Sequence, residues 1–217
     1  MKLIIPKKEN LIPIPFEYLD DTVDQYYRPI QGYFMRKRLE LALKILDSKK
    51  VDKILDAGYG GGTFLPTLAT LCNQVYGVDI HPFKDKVSQI LKKEKVKANL
   101  IRGSITEIPY RDNYFDRVVV MSVLEHLKGK ELQRAIKEIL RVTRPGGFAV
   151  IGFPIKNLLT DLIIERVLKF NPLEIHPSGQ KEIIPAVKKA GKINKSLTYP
   201  PFFPTDLSLY GVLKVVK

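Results

Sequence analysis

The stretch Ile54-Leu55-Asp56-Ala57-Gly58-Tyr59-Gly60-Gly61-Gly62-Thr63 decides the fold of this chain. It begins as a short apolar run that ends on an acid, which is typical of a buried strand. The glycines that follow predict a sharp turn into a helix, because glycine tolerates positive φ and lets a ligand approach the backbone. This order of strand, glycine-rich turn and helix predicts a nucleotide-type binding site in an open α/β sheet.

The glycine spacing separates two kinds of nucleotide-binding loop. A dinucleotide fingerprint, Gly-x-Gly-x-x-Gly, that starts at Gly58 would place its third glycine at Thr63, so this fingerprint fails. The spacing that fits is Asp-x-Gly-x-Gly-x-Gly on Asp56, Gly58, Gly60 and Gly62. A nicotinamide-dependent oxidoreductase is therefore a disfavoured alternative.

Strand and helix patterns alternate along most of the chain. The predicted strands cover residues 53–56, 74–79, 99–102, 115–121, 148–153, 192–199 and 207–216, and the predicted helices cover 35–47, 63–71, 83–93, 130–142, 157–170 and 181–190. Regular alternation of this kind favours a mostly parallel sheet whose two faces are both covered. We therefore expect the α/β class, with a Rossmann-like sheet of seven mostly parallel strands and helices on both faces.

A single domain is expected over residues 1–217. Residues 1–34 contain several prolines and tyrosines without clear periodicity, and they are predicted to form an N-terminal arm or lid. Residues 35–153 carry the regular alternation and form the predicted cofactor-binding core. Residues 154–217 are predicted to contain a helical insertion and the last two strands.

The chain is strongly basic, with a formal net charge of +13. This charge is spread along the chain, and its densest run, residues 84–97, resembles the solvated face of a helix with its exit loop. The charge leaves two explanations open, namely RNA binding and a surface adapted to heat. No apolar run approaches the roughly 18 residues of a membrane span, and a single cysteine, Cys72, suits a reducing compartment. We expect a cytoplasmic protein without a membrane span, either a monomer or a homodimer.

The second predicted strand ends on Asp79. A carboxylate at this place can accept hydrogen bonds from two adjacent ribose hydroxyls. A helix cap is the alternative role for such an acid. The glycine loop that follows the preceding strand favours the ribose role.

Two later segments complete the set of motifs. Val123-Leu124-Glu125-His126-Leu127 follows the fourth predicted strand, and Arg144-Pro145-Gly146-Gly147 precedes the fifth. Taken in order with the glycine loop, they resemble class I S-adenosylmethionine-dependent methyltransferases, in the small-molecule branch similar to ubiquinone and menaquinone methyltransferases. The resemblance covers residues 51–153 well. It implies S-adenosyl-L-methionine as the cofactor and an in-line displacement of its methyl group.

The resemblance also implies which residues bind the cofactor. The implied site consists of Asp56, Ala57, Gly58, Gly60, Asp79, Ile80, Ser104, Ile105 and Met121. Asp56 would orient the methionine amino group, the backbone of the glycine loop would approach the methionine carboxylate, and Asp79 would hold the ribose. Ser104 replaces the acid that usually binds the adenine amino group, and its hydroxyl can accept the same hydrogen bond without charge assistance.

His126 follows the fourth predicted strand, where the methyl acceptor is expected, and three roles stay open for it. As the predicted catalytic residue it would accept a proton from the acceptor, because imidazole titrates near neutrality. It could instead join Glu125 as a metal ligand, since similar quinone-pathway and small-RNA methyltransferases place a Glu-x-x-Glu-His cluster there. Ser122 replaces the first glutamate of that cluster, so no metal site is expected. The third role is structural, through hydrogen bonds that fix the loop.

The leading hypothesis is methyl transfer to a small-molecule acceptor. The arm with Tyr26, Tyr27 and Tyr33, together with the insertion 157–170, is where the lid and acceptor pocket are expected. An RNA methyltransferase and a non-catalytic cofactor-binding module are the alternatives.

Overall fold

A sheet of seven strands forms the centre of the computed structural model, which describes residues 1–14, 23–157 and 176–217. The strands are β1 (Val51–Ala57), β2 (Cys72–Asp79), β3 (Ala98–Arg102), β4 (Phe115–Met121), β5 (Thr143–Pro154), β6 (Lys192–Tyr199) and β7 (Tyr210–Val216). Their order across the sheet is β3-β2-β1-β4-β5-β7-β6. The first five strands pair in parallel, and β7 runs antiparallel to both of its neighbours. The predicted fold class is confirmed.

Helices cover both faces of this sheet. They are α1 (Pro29–Leu43), α2 (Leu65–Ala69), α3 (Lys84–Lys93), α4 (Gly129–Val142) and α5 (Gln180–Ala190). Neighbouring residues of the central strands alternate between two apolar clusters, because successive side chains of a strand point to opposite faces. Ile54 packs in the cluster that contains residues of α1, α2 and α3, and Leu55 packs in the cluster that contains residues of α4 and α5.

The strand order reverses between β1 and β4. In open parallel sheets a crevice forms outside the carboxyl ends of the strands at such a reversal, because the following connections lead to opposite sides. The glycine loop after β1 and Asp79 at the end of β2 lie at this edge. Met121, at the end of β4, lies at the same edge. The topology therefore brings the predicted motif residues together.

The first helix differs most from its sequence prediction. It was predicted over residues 35–47, but it runs from Pro29 to Leu43, so the end of the predicted arm 1–34 is helical. Proline suits the first position of a helix, where the missing N–H has no partner to lose. The apolar periodicity did not reveal this turn because Ile30 and Tyr33 are 67% and 47% exposed.

Other element bounds differ less. β5 begins at Thr143 rather than at residue 148, because Thr143 already pairs with Phe115 before a shift in register. β7 begins at Tyr210 rather than at residue 207, after a short 3₁₀ turn. The predicted helical insertion lies, beyond its first residue, outside the described residues. Across the three described ranges, no helix combines the length and apolar character that crossing a membrane requires.

Replacing Phe115 by alanine tests the packing under the sheet. Its ring is fully buried and meets the ring of Tyr110 at a centroid distance of 4.9 Å. We expect Phe115→Ala to lower the free energy of unfolding by about 3–5 kcal/mol in urea titrations followed by circular dichroism, because the vacated volume is only partly refilled. Phe202, which is 94% exposed, is the matched control, and Phe202→Ala should change the same quantity by less than about 0.5 kcal/mol. Equal losses would contradict this assignment of the core.

Candidate functional site

A cavity of about 430 Å³ opens at the carboxyl edge of the sheet. Nine of the predicted site residues line it, namely Asp56, Gly58, Gly60, Asp79, Ile80, Ser104, Ile105, Met121 and His126. Ala57 does not line the cavity, since its side chain is fully buried in the apolar cluster that contains residues of α4 and α5. The residues predicted from separate motifs thus share one space.

The glycine loop closes tightly over neighbouring side chains. Gly58 and Gly62 have φ of +88° and +77°, a region that side chains rarely adopt. A Cβ on Gly58 would lie 2.2 Å from a methyl of Val123, and one on Gly62 would lie 2.6 Å from a methyl of Val87. Glycine is therefore required at both positions by conformation and by space.

Asp79 ties the end of β2 to the glycine loop. Its Oδ2 accepts a hydrogen bond from the backbone N–H of Gly60 at 2.8 Å. Its Oδ1 accepts one from the backbone N–H of His81 at 3.2 Å. Each carboxylate oxygen retains a further lone pair, so the same group can also accept hydrogen bonds from a ligand in the cavity.

His81 supports the same loop and was missed by the sequence analysis. The residue is 3% exposed, and its Nδ1 accepts a hydrogen bond from the backbone N–H of Phe83 at 3.0 Å. A neutral imidazole that accepts at Nδ1 carries its proton on Nε2. Nε2 lies 2.9 Å from the carbonyl oxygen of Gly60 and donates to it. The one signal in the sequence is the position of His81 two residues after the acid that ends β2.

The electrostatics of the site centre on Asp56. Its side chain is buried, and burial together with the negative charge of Asp79 raises the pKa of Asp56 to about 8. The carboxyl group is therefore mostly protonated at neutral pH in the protein without ligand. A cationic ligand group placed beside Asp56 would stabilise the ionised form instead.

A second group of polar side chains lines the cavity. Arg38 of α1 donates from Nη1 to Oγ of Ser122 at 2.8 Å and from Nη2 to the hydroxyl of Tyr26 at 3.3 Å. The Ser122 hydroxyl also lies 2.8 Å from the hydroxyl of Tyr210, the first residue of β7. Arg38 and Tyr210 were missed because neither belongs to a motif and both reach the cavity through tertiary packing.

The three tyrosines predicted to lie near the acceptor occupy different surroundings. Tyr26 is 2% exposed and lines the cavity. Tyr27 donates its hydroxyl hydrogen to the carbonyl of Pro6, and the hydroxyl of Tyr33 lies 2.9 Å from that of Tyr199. Of the three, Tyr26 is the one that lines the cavity.

His126 lies beside a second histidine that the sequence analysis did not connect with it. The ring centroids of His126 and His176 are 5.2 Å apart. Burial, followed by the charges of His126, Lys156 and Arg38, lowers the pKa of His176 to about 4, so its imidazole is neutral at physiological pH. Ligand atoms of Glu125, His126 and His176 all lie within 4.8 Å of one another, an arrangement that can hold a metal ion.

Comparisons with known proteins agree with this geometry. A family model described as a methyltransferase domain matches residues 55–151. A demethylmenaquinone methyltransferase from Bacillus mycoides is 30% identical over 149 residues, which are 64% of this chain and 60% of that protein. Norajmaline N-methyltransferase from Rauvolfia serpentina is 32% identical over 118 residues, which are 51% of this chain and 39% of that protein. The chain spans less than two thirds of the length of these curated relatives.

Solved structures share the fold. A S-adenosylmethionine-dependent methyltransferase from Aquifex aeolicus matches with a TM-score of 0.65 and 20% identity, over 82% of this chain and 89% of that chain. An N-methyltransferase from Bradyrhizobium japonicum, in complex with S-adenosyl-L-homocysteine, matches with a TM-score of 0.62 and 20% identity, over 87% of each chain. At this identity the likeness shows the fold alone.

The reversed strand order, the glycine loop and the acids that end β1 and β2 define a Rossmann-like nucleotide-binding domain. With the matching domain model and relatives, the chain resembles the class I S-adenosylmethionine-dependent methyltransferases, and the proteins that it resembles include demethylmenaquinone methyltransferases. These matches agree with the predicted resemblance and with S-adenosyl-L-methionine as the cofactor.

His81 should prove to be a positioning residue for the cofactor. His81→Phe removes the hydrogen bonds at both ring nitrogens, and we expect it to weaken binding of S-adenosyl-L-homocysteine about tenfold in calorimetric titrations, since two ordinary hydrogen bonds contribute about 1–3 kcal/mol together. His81→Gln offers a donor to Gly60 and should lose less. An affinity of His81→Phe equal to that of the unmodified protein would leave His81 without a role in the site.

Asp56 should make stability depend on pH. Its pKa is 3.8 in the unfolded reference and about 8 in the fold, so the folded state holds the proton more tightly. The contribution is fully present below about pH 4 and is lost as the pH rises through 8. Relative to Asp56→Asn, which does not titrate, the free energy of unfolding should therefore fall between pH 5 and about 8. A difference that stays constant across urea titrations in this range would show that Asp56 is already ionised.

Proposed function

We propose that this protein transfers the methyl group of S-adenosyl-L-methionine to a small-molecule acceptor. The observation that carries the proposal is a single cavity with two chemically different linings. One lining is the glycine loop with Asp56 and Asp79. The other is the group of Arg38, Ser122 and His126, whose side chains suit a polar acceptor.

The cofactor is assigned to the glycine-loop lining. We assign Asp56 to the methionine ammonium group, which would stabilise its ionised form, and Asp79 to the ribose hydroxyls, from which it would accept hydrogen bonds. Ser104 and Ile105, which follow β3, are assigned to the adenine ring, with the Ser104 hydroxyl as an acceptor. Ile80 is 71% exposed and would pack on the outer face of the bound nucleoside.

Methyl transfer needs alignment more than a reactive side chain. A lone pair on the acceptor forms a bond to the methyl carbon while the carbon–sulfur bond breaks, and that electron pair returns to the sulfur. The sulfonium is thereby neutralised and S-adenosyl-L-homocysteine is formed. Buried walls such as Leu39 and Phe64 exclude water and hold the two reactants in line.

The acceptor also loses a proton. Among the described residues that line the cavity, His126 is the histidine. We assign it the role of proton acceptor when no metal ion is bound. Its place after β4, where the family resemblance leads us to expect the acceptor, supports this assignment.

The position of the basic residues favours a small molecule over RNA. Lys92, Lys95 and Lys97 belong to the densest basic run, and they line a different groove beside Asn73 and Asn99. These asparagines lie near the amino-terminal ends of β2 and β3, whereas the cavity lies at the carboxyl-terminal ends. RNA bound along this run would not present a nucleotide to the cofactor. The relatives described above are named for demethylmenaquinone and norajmaline.

Titration of the purified chain with S-adenosyl-L-methionine and with S-adenosyl-L-homocysteine tests the cofactor assignment. Asp79→Asn should weaken both affinities by about 10- to 100-fold, because charge-assisted hydrogen bonds contribute about 1.5–3 kcal/mol. Asp52→Asn is the matched control, since this side chain is 49% exposed at the amino-terminal end of β1. Turnover is then measured as S-adenosyl-L-homocysteine released with phenols, catechols and amines as acceptors. Absence of binding to both ligands would overturn the proposal, and binding without turnover across such acceptors would favour the non-catalytic module.

A further inference from the structure

Two segments far apart in the sequence are fixed together beside His126. The backbone N–H of Ser178 donates to the carbonyl of Glu125 at 3.0 Å, and the Ser178 hydroxyl donates to the carbonyl of Leu127. His176 lies two residues before Ser178, so these hydrogen bonds hold its ring against that of His126. The contact between the two imidazoles is therefore supported by hydrogen bonds to the backbone on both sides of His126.

A carboxylate completes this group. Glu125 is 1% exposed, and its ligand atom lies within 4.8 Å of the ligand atoms of both histidines. Around a metal ion with ligand bonds of about 2.0–2.2 Å, two ligand atoms are separated by at most about 4.4 Å. Side-chain rotations that move the outermost atoms by less than about 1 Å therefore suffice to bring all three onto one ion.

We propose that Glu125, His126 and His176 bind one divalent first-row transition-metal ion, and that the methyl acceptor occupies its open coordination positions. Two imidazole nitrogens with one carboxylate favour zinc, manganese, iron or cobalt over magnesium and calcium, which prefer sets of oxygen ligands. Three protein ligands leave at least one position open. His126 lines the cavity, so that position is reachable by a bound acceptor.

The charges around the ion define the acceptor further, and this step rests on the proposed function. Arg38 lines the same cavity as His126, so its positive charge opposes a bare cation there. The carboxylate of Glu125 offsets part of this repulsion, and an acceptor that binds as an oxygen anion offsets more. We therefore expect an acceptor with a hydroxyl group that can bind the metal as an oxygen anion.

A bound metal ion would activate the acceptor in place of His126 as the base. A hydroxyl group bound to a divalent ion loses its proton to water much more readily than a free one. Such an oxygen anion would form the new carbon–oxygen bond to the methyl carbon while the carbon–sulfur bond breaks and its electron pair stays on sulfur. His126 serves as a ligand in this state, and no separate base is needed.

Metal binding is tested first, without any assay of turnover. The chain is stripped with a chelator, dialysed against ZnCl₂, MnCl₂ or MgCl₂, and analysed for bound metal and by calorimetry. We expect one equivalent of zinc or manganese, an affinity for magnesium that is lower, and a loss of at least about tenfold in zinc affinity for His176→Ala and Glu125→Gln. Glu131→Gln is the matched control, because it changes an exposed glutamate elsewhere in the chain, and it should retain the metal.

The outcomes separate this inference from the proposed function. Titration with S-adenosyl-L-homocysteine shows whether each variant is folded and retains the cofactor site, and His176→Gln serves as a milder variant if His176→Ala loses that binding. No metal in the unmodified chain, or equal zinc affinity in a folded His176 variant, would overturn the metal site while cofactor binding stands. Turnover of a catechol that falls at least about tenfold on chelation and returns with the metal would support the acceptor class. Turnover that is unaffected by chelation would overturn it.

Discussion

The hydrogen bond from the Gly60 N–H to Asp79 is the interaction on which the site depends. It joins the turn after β1 to the end of β2, and the imidazole of His81 reinforces it through the carbonyl of the same glycine. The loop is thereby held open toward the cavity by groups outside the loop itself. At Gly58 the same loop packs so closely against Val123 that no side chain would fit.

The sheet topology places the loop that this hydrogen bond fixes on one side of a crevice with two sides. The reversal of strand order places the loop after β1 and the turn after β4 on either side of one crevice. The antiparallel strand β7 carries Tyr210 at the proposed acceptor side, and its hydroxyl lies 2.8 Å from that of Ser122. Helix α1 adds Arg38 from one face of the sheet. The proposed donor side is thus built by consecutive strands, and the proposed acceptor side by elements from both ends of the chain.

This division explains what the sequence predicted. Asp56, Asp79 and the glycine loop were found because continuous motifs carry the requirements for positive φ and for an acid at a strand end. The parallel strands were found because burial on both faces leaves uninterrupted apolar runs. Arg38 and His176 were not found, since their positions follow from how α1 and the segment before α5 pack, and no local pattern encodes that packing. The first turn of α1 was missed for a related reason, because its exposed side chains break the helical pattern.

The protonated carboxyl group of Asp56 has a consequence for how the empty and filled forms interchange. If the ammonium end of the cofactor settles beside it as proposed, Asp56 gives up its proton, so loading exchanges one positive charge for another. The demethylated product carries the same ammonium group and retains the ionised carboxylate. Acidification would therefore release S-adenosyl-L-methionine and S-adenosyl-L-homocysteine alike. The occupied fraction of the site would fall as the pH falls.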